Sequence, residues 1–541
     1  MHKRRKLIGL LRAVLMLALA AGAGSPGAGA ADFDRDGYAD LAVGVPRENV
    51  GAVESAGVVH ALYGSSTGLT ATGDQLWDQD DLITSEGIEP WDLFGIALAA
   101  GDFDGNGAAD LAIGVSEEDF GTYTEAGAVH VLYGGLPSGG LSARTSQLWH
   151  QNSPGVAGFV GTNEFFGAAL AAGDFDGDGY GDLAVGVPRE NVDTAEDAGA
   201  VNVLYGTQQG LAASGSQLWH QGDAGLGDSA EPWDQFGATL ATGDFDGDGR
   251  DDLAIGIPSE DDDFHHNSGL VTILYGTSSG LSAVDSQTWM QGLDGIGNAA
   301  EENDRFGSSL VAGDFNGDTY ADLAVGVSGE DWGTIEAVGA VTVLYGSPDG
   351  LAATGNQVWF DANYEADDVF GSALAAGDFN GDTYEDLAVG IRGEDINSIA
   401  NAGAVQILYG ASSGLYRRRG IWNDFWYQDR GDMADQIELN DQFGSALAAG
   451  DFNHDSYVDL AVGIKLEDIG SIQDAGAVQI LYGSANGISA TGNQFWHQDS
   501  PYVEESAELQ DEFGYALAAI PREMDWVPRI YLPQVMRNHQ P

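Results

Sequence analysis

Asp174-Phe175-Asp176-Gly177-Asp178-Gly179-Tyr180-Gly181-Asp182, followed at once by Leu183-Ala184-Val185-Gly186-Val187, is one of seven versions of a single phrase. The versions begin at Asp32, Asp102, Asp174, Asp244, Asp314, Asp378 and Asp451, in steps of 70, 72, 70, 70, 64 and 73 residues. A period of this kind marks a repeat architecture. Positions 1, 3, 5 and 9 of each phrase carry side-chain oxygens, and hard oxygen donors at alternate positions suit calcium.

The donors are Asp32, Asp34, Asp36 and Asp40 in the first phrase, then Asp102, Asp104, Asn106 and Asp110, then Asp174, Asp176, Asp178 and Asp182. The fourth has Asp244, Asp246, Asp248 and Asp252, the fifth Asp314, Asn316, Asp318 and Asp322. The last two have Asp378, Asn380, Asp382 and Asp386, and Asp451, Asn453, Asp455 and Asp459. Up to seven calcium ions are expected. Loops with four carboxylates, those starting at Asp32, Asp174 and Asp244, should bind tightest, because each Asn removes a charge. An EF-hand is excluded: position 12, which must be Glu there, is Val43, Ile113, Val185, Ile255, Val325, Val389 or Val462. Position 6 is Gly37, Gly107, Gly179 and Gly249 in four loops, where a tight turn favours positive φ, but Thr319, Thr383 and Ser456 in the others. Acidic residues and Gly also favour plain turns, but seven recurrences of the full donor pattern argue against that alone.

Each loop lies between two strand signals, Phe-Gly-x-x-Leu-x-x-Gly before it and Asp-Leu-Ala-[Val/Ile]-Gly after it. A third strand, Gly-x-Val-x-[Val/Ile]-Leu-Tyr-Gly in its best copy Gly199 to Gly206, alternates as a half-buried strand does. A fourth carries Trp77, Trp149, Trp219, Trp289, Trp359, Trp426 or Trp496. Four antiparallel strands per repeat of about 70 residues make one propeller blade. The first repeat lacks its Phe-Gly strand, whereas Phe513-Gly514-Tyr515-Ala516-Leu517-Ala518-Ala519 supplies one with no loop after it. The expected fold is therefore all-β: a seven-bladed β-propeller whose N- and C-terminal segments share one blade, leaving no open sheet edge.

The Phe-Gly strands, Gly-[Val/Ile]-Pro segments and nine-residue acidic loops resemble the FG-GAP repeats of the integrin α-subunit propeller. That resemblance spans residues 31 to 520 and implies that the metal loops occupy the bottom face while partners bind the other. In integrins only some blades carry the loop, and here all seven do; neither an inserted ligand-binding domain nor leg domains are visible in the sequence.

Lys3-Arg4-Arg5-Lys6, the apolar stretch from Leu7 to Ala21 and Ala28-Gly29-Ala30 together read as a secretory signal peptide, residues 1 to 30. Residues 521 to 541 form a C-terminal tail, too short and polar to span a membrane. The net charge is −64, and without residues 1 to 30, which hold five basic and no acidic side chains, it is −69. Such a surface repels nucleic acid and anionic lipid. Cysteine is absent, so disulfides cannot brace the fold.

Two further acidic rings are expected on the face opposite the loops. Glu48, Glu118, Glu190, Glu260, Glu330, Glu394 and Glu467 follow strand 2, and Asp92, Glu164, Asp234, Asp304, Asp368, Asp441 and Asp511 precede Phe-Gly. They either bind cations or cationic partners, or accept backbone hydrogen bonds between blades. The seven strand-4 Trp residues read as packing, whereas Trp91, Trp233, Trp332 and Trp422 are candidates for ligand contact. Arg430-Gly431-Asp432 spells an adhesion tripeptide, His265 and His266 lie beside Asp261, Asp262 and Asp263, and Arg417, Arg418 and Arg419 read as a loop tip. No nucleophile, base and orienting residue stand together, so no catalytic residue is assigned. The expected function is that of a secreted or cell-surface, monomeric, calcium-binding propeller that acts as a non-catalytic binding or adhesion module for an extracellular protein or carbohydrate. The alternatives are a propeller-fold polysaccharide lyase or hydrolase, and a calcium-dependent lectin.

Overall fold

A computed structural model describes residues 20–21, 31–82, 87–135, 139–262, 264–293, 295–418 and 424–519. The signal-peptide reading falls almost wholly outside them, as do the tail, Asp263, Arg419 and Trp422.

Seven four-stranded antiparallel sheets stand around a common axis. Blade 3 shows the pattern: Ala169–Gly173, Asp182–Val187, Ala200–Tyr205 and Ala212–Trp219 pair in chain order. The first strands of successive blades touch one another around the whole circle, so they form its inner wall. Ala20–Ala21 run parallel to Leu310–Val311 beside these inner strands. The ring closes as expected, with Ala516–Ala518 pairing to Leu41–Val45 and completing blade 1 with Val58–Tyr63 and Thr70–Trp77. Gln494 of blade 7 then donates to the Leu69 carbonyl of blade 1, and Gln498 donates to Glu48.

The inner three strands are almost wholly buried, whereas the fourth is only partly covered. This matches their composition, near-continuous Leu, Ala and Val against polar runs such as Ala-Ala-Ser-Gly-Ser-Gln. Blade 6 departs from the pattern, its outer strand shrinking to Phe425–Trp426. There Arg417 donates to the Phe360 carbonyl, while the Arg418 guanidinium lies 3.6 Å from the centroid of the Tyr409 ring and 3.7 Å from Asp424. The expected loop tip is thus a packed cover: two guanidinium stems take the place of missing strand.

Close approach between blades depends on one glycine per repeat. A Cβ on Gly44, Gly114, Gly186 or Gly390 would lie 2.2 Å from the carbonyl oxygen of the next blade's Phe-Gly glycine. The Phe of that pair is fully buried, and its N–H donates to the preceding blade, as Phe236 does to the Ala198 carbonyl at 2.8 Å. Gly186→Ala should therefore force blades 3 and 4 apart and lower stability by about 1–3 kcal/mol. Gly87→Ala, in an exposed loop where the nearest atom is 3.5 Å away, should stay within about 0.5 kcal/mol of the parent in the same thermal melts.

Candidate metal loops and the opposite face

Each acidic loop is organised by its first and ninth residues. Asp174 accepts the N–H of Asp178 at 3.1 Å on one oxygen and that of Gly179 at 3.0 Å on the other. Asp182 accepts the N–H of Phe175 at 2.9 Å and that of Gly206, at the end of strand 3, at 2.8 Å. The same ninth-position clasp recurs in all seven blades, from Asp40 with Phe33 and Gly64 to Asp459 with Phe452 and Gly483. These seven carboxylates are fully buried.

The loop geometry tolerates the departures in sequence. Thr319, Thr383 and Ser456 adopt φ of 78°, 78° and 74°, close to the 90° of Gly179, and their N–H groups still reach Asp314, Asp378 and Asp451. For Thr this conformation is costly, so the surrounding loop imposes it. The side-chain amides of Asn316 and Asn380 donate to the clasping Asp322 and Asp386 at 3.1–3.3 Å. In these two loops an amide supplies part of the compensation that a cation would give.

The donor set fits a hard cation. Asp102, Asp104 and Asp110, and likewise Asp174, Asp176 and Asp182, bring one oxygen each into a group lying within 4.8 Å of one another. Asp32, Asp34 and Asp36, and Asp244, Asp246 and Asp248, form two more. Burial pushes the clasping carboxyls up, to about 8 in Asp110, Asp386 and Asp459 and about 9 in Asp322. The neighbouring loop carboxylates add to this while the backbone donors oppose it. Crowded anions of this kind ionise together readily only with positive charge among them.

The loops are also wired to one another, which the sequence reading missed. The N–H of each eighth residue donates to the first-residue carbonyl of the preceding loop: Gly181 to Asp102, Asp251 to Asp174, Ala321 to Asp244, and so on to Ala39 with Asp451 across the seam. Two eighth residues add a carboxylate, Asp251 and Glu385, which accept the N–H of Asp174 and Asp314 at 2.8 and 3.0 Å. Tyr180, Tyr320, Tyr384 and Tyr457, at position 7, cover Gly105, Gly247, Gly317 and Gly381 at position 4 of the loop before. The signal was present as recurrent Tyr and Gly at those positions, but a single repeat does not reveal partners some 70 residues apart.

On the opposite face the two acidic rings are interior features. Glu118, Glu260, Glu330 and Glu467 are buried and accept hydrogen bonds at 2.6 Å from Gln79, Gln221, Gln291 and Gln428 of the preceding blade. Half-buried Glu190 takes the same bond from Gln151. At the blade 6 position the amide is replaced by Asp361, and Glu394 stands buried beside it. The second ring caps its own loops, as Asp234 does by accepting the Glu231 N–H at 2.6 Å. Both rings thus accept hydrogen bonds, but the first takes them between blades from glutamine side chains and not from backbone, and the second from backbone N–H groups of its own loop and not across blades.

Other sequence candidates are distributed as follows. Strand-4 Trp residues are half-buried or buried, whereas Trp91, Trp233 and Trp332 are 50%, 54% and 46% exposed. Trp332 also packs against Phe360 and Tyr364, with centroids 4.8 and 5.4 Å away. Arg430 is half-buried over the Trp426 ring at 4.6 Å while Gly431 and Asp432 are exposed, so the tripeptide does not project as a unit. His265 and His266 are engaged by Asp262 and Asp261 at 2.9 and 2.6 Å. His130 is buried, which pushes it down to about 3 and keeps it neutral.

Burial pushes Glu260 up to about 9, with Asp234 and Asp228 adding to it and Gln221 opposing. A raised folded-state carboxyl stabilises the fold below its unfolded pKa and loses that contribution as pH rises through the folded value. Glu260→Gln should therefore flatten the fall in melting temperature between pH 6 and 9. At pH 8.5 the variant should melt about 1–2 °C above the parent.

Seven stretches match the FG-GAP repeat model, residues 25–62, 94–132, 166–204, 236–274, 306–344, 370–408 and 443–481, together half of the chain. Integrin alpha-PS2 of Drosophila melanogaster is 30% identical over 279 residues, 49% of this chain and 18% of that protein. Phosphatidylinositol-glycan-specific phospholipase D of Rattus norvegicus is 35% identical over 161 residues, 29% of this chain and 18% of that protein. The chain thus spans about a fifth of the length of the curated relatives it matches. Among solved structures, the periplasmic gluconolactonase of Pseudomonas aeruginosa is 12% identical with a TM-score of 0.44, covering 89% of this chain and 99% of that one. The chain belongs to the FG-GAP repeat family and is an integrin-α-like β-propeller.

Proposed function

We propose that this protein is an exported calcium-binding propeller that acts as a non-catalytic binding module at the cell surface. The observation that carries the reading is the circle of seven acidic loops, each joined to the next by a backbone hydrogen bond, with convergent carboxylate oxygens in those that begin at Asp32, Asp102, Asp174 and Asp244. Calcium bound at positions 1, 3, 5 and 9 would supply the positive charge these loops lack and stiffen the bottom of the ring. The basic start and small-residue end of residues 1 to 30 support export. No helix among the described residues is long and apolar enough to cross a membrane. The matched relatives include an integrin α chain and a phospholipase, so the non-catalytic assignment rests on the repeat symmetry and not on them.

A carbohydrate ligand is the version favoured by a specific observation. Trp91, Trp233 and Trp332 are exposed in loops, and large exposed aromatic faces of this kind stack on sugar rings. Binding to a glycan array that vanishes in EGTA and falls at least about tenfold in Trp332→Ala would support a calcium-dependent lectin. A blank array with folded protein would move the ligand class to proteins.

Ligands that bind only the folded state raise its stability, by about 2.7 kcal/mol per site at a hundredfold excess over Kd. Chelation with EGTA should accordingly lower the melting temperature by about 10 °C or more, and an unmoved melt would contradict the role given to calcium. Asp176→Asn should cost stability in calcium and leave the EGTA melt nearly unchanged. Asp182→Asn should cost about 1–3 kcal/mol in both, since an amide cannot accept both backbone N–H groups that Asp182 holds.

A further inference from the structure

Blade 1 is where the two ends of the ring meet, and on the face opposite the acidic loops three carboxylates gather at that seam. Glu48 belongs to the segment after Leu41–Val45, and Glu508 and Asp511 to the segment before Ala516–Ala518. Each brings one oxygen into a group lying within 4.8 Å of one another. Glu48 and Asp511 are 2% and 0% exposed, while Glu508 is open to solvent. No Lys, Arg or His lies within 4.0 Å of the three among the described residues. Arg47, beside Glu48 in sequence, is taken by Glu512 at 3.1 Å instead.

Neutral donors hold this group together without neutralising it. The Gln498 amide donates to Glu48, the Glu508 N–H donates to Asp511 Oδ2, and the Asn49 amide donates to Glu508 at 3.0 Å. Asp511 Oδ1 and Gln498 Oε1 are left over: both are sealed from water with no hydrogen-bond partner, and Gln498 is only 1% exposed. A buried carboxylate oxygen without a donor is costly, and burial pushes the carboxyls of Glu48 and Asp511 up. The sequence also singles out this junction. At five others, a Glu three residues before the second-ring acid is matched by an Asp after the first-ring Glu, as Glu231 is by Asp261. At the seam that Asp is replaced by Asn49, which donates to Glu508 where a further carboxylate would repel it.

We propose that the seam holds a calcium ion of its own, bound by Glu48, Glu508 and Asp511 with the Gln498 amide oxygen beside them. The donors are all oxygens, without the nitrogen or sulfur that zinc and copper favour. Carboxylates that bind through one or two oxygens, with water on the open Glu508 side, meet the about six to eight ligands that calcium takes. The ligands come from both ends of the ring. The ion therefore ties residue 48 to residues 508 and 511 across a closure made otherwise by strand pairing and by hydrogen bonds such as that of Gln494 with the Leu69 carbonyl. This site is separate from the acidic loops and does not rest on their holding calcium.

Equilibrium dialysis of the purified protein against labelled calcium tests this with Glu508→Gln, and with Glu196→Gln as a control that removes the same charge from an exposed position elsewhere. Glu508→Gln is expected to bind about one calcium fewer per chain than the parent, and Glu196→Gln to match the parent. Anomalous difference maps of the parent crystallised in calcium locate the same ion, as a peak about 2.3–2.6 Å from oxygens of Glu48, Glu508 and Asp511. The map needs no variant, so it decides the matter even if Glu508→Gln melts early. Undiminished calcium binding by Glu508→Gln overturns the seam site and leaves the loops standing. So does a seam without a peak, where a proton shared by Glu48 and Asp511 takes the place of the cation. A parent that binds about one calcium, lost in Glu508→Gln, supports the seam site and overturns the loops. A parent that binds none overturns both.

Discussion

The structure depends on a buried carboxylate repeated seven times. The ninth residue of each loop is sealed from water, and its two oxygens hold the start of its own loop and the end of the third strand. One side chain thus fixes the spacing of three of the four strands in a blade. A carboxylate held out of water is costly unless its neighbours compensate it, and here the nearest neighbours on the loop are further carboxylates. Fold and the metal chemistry proposed for the loops are therefore not separable: the residue that organises the blade is the one that makes the loop short of positive charge.

Around the ring, the same economy governs how blades meet. A bare glycine on each second strand admits the next blade's Phe-Gly backbone, and the loops below link through their own amides and carbonyls. Contacts made of backbone are insensitive to side-chain identity. Asn can therefore replace Asp at Asn316 and Asn380, and Thr can replace Gly at Thr319 and Thr383, without loss of loop shape. Repeated close contacts also explain how a chain without cysteine can close a ring through a blade shared by its two ends.

Much of this was legible in the sequence, because repetition turns a weak local pattern into a strong one. The seven loops, the four strands and the seam at Ala516–Ala518 could be placed from spacing alone. What could not be placed was any contact between repeats. The pairing of Gln221 with Glu260, the cover of Tyr180 over Gly105 and the role of Asp251 on the preceding loop all join residues some 40 to 80 positions apart. Arg417 and Arg418 were misread as a loop tip because the strand they replace is absent from the sequence, and an absence carries no periodicity.

The claim at the centre of this account is that the seven loops hold cations through the same oxygens that organise the blades. Crystals grown in calcium and measured with long-wavelength X-rays would test it through the anomalous signal of the ions. The account predicts a peak inside the loops that begin at Asp32, Asp174 and Asp244, about 2.3–2.6 Å from the oxygens of positions 1, 3, 5 and 9, with weaker peaks where Asn replaces Asp. Loops of unchanged shape with no peak at saturating calcium would contradict it.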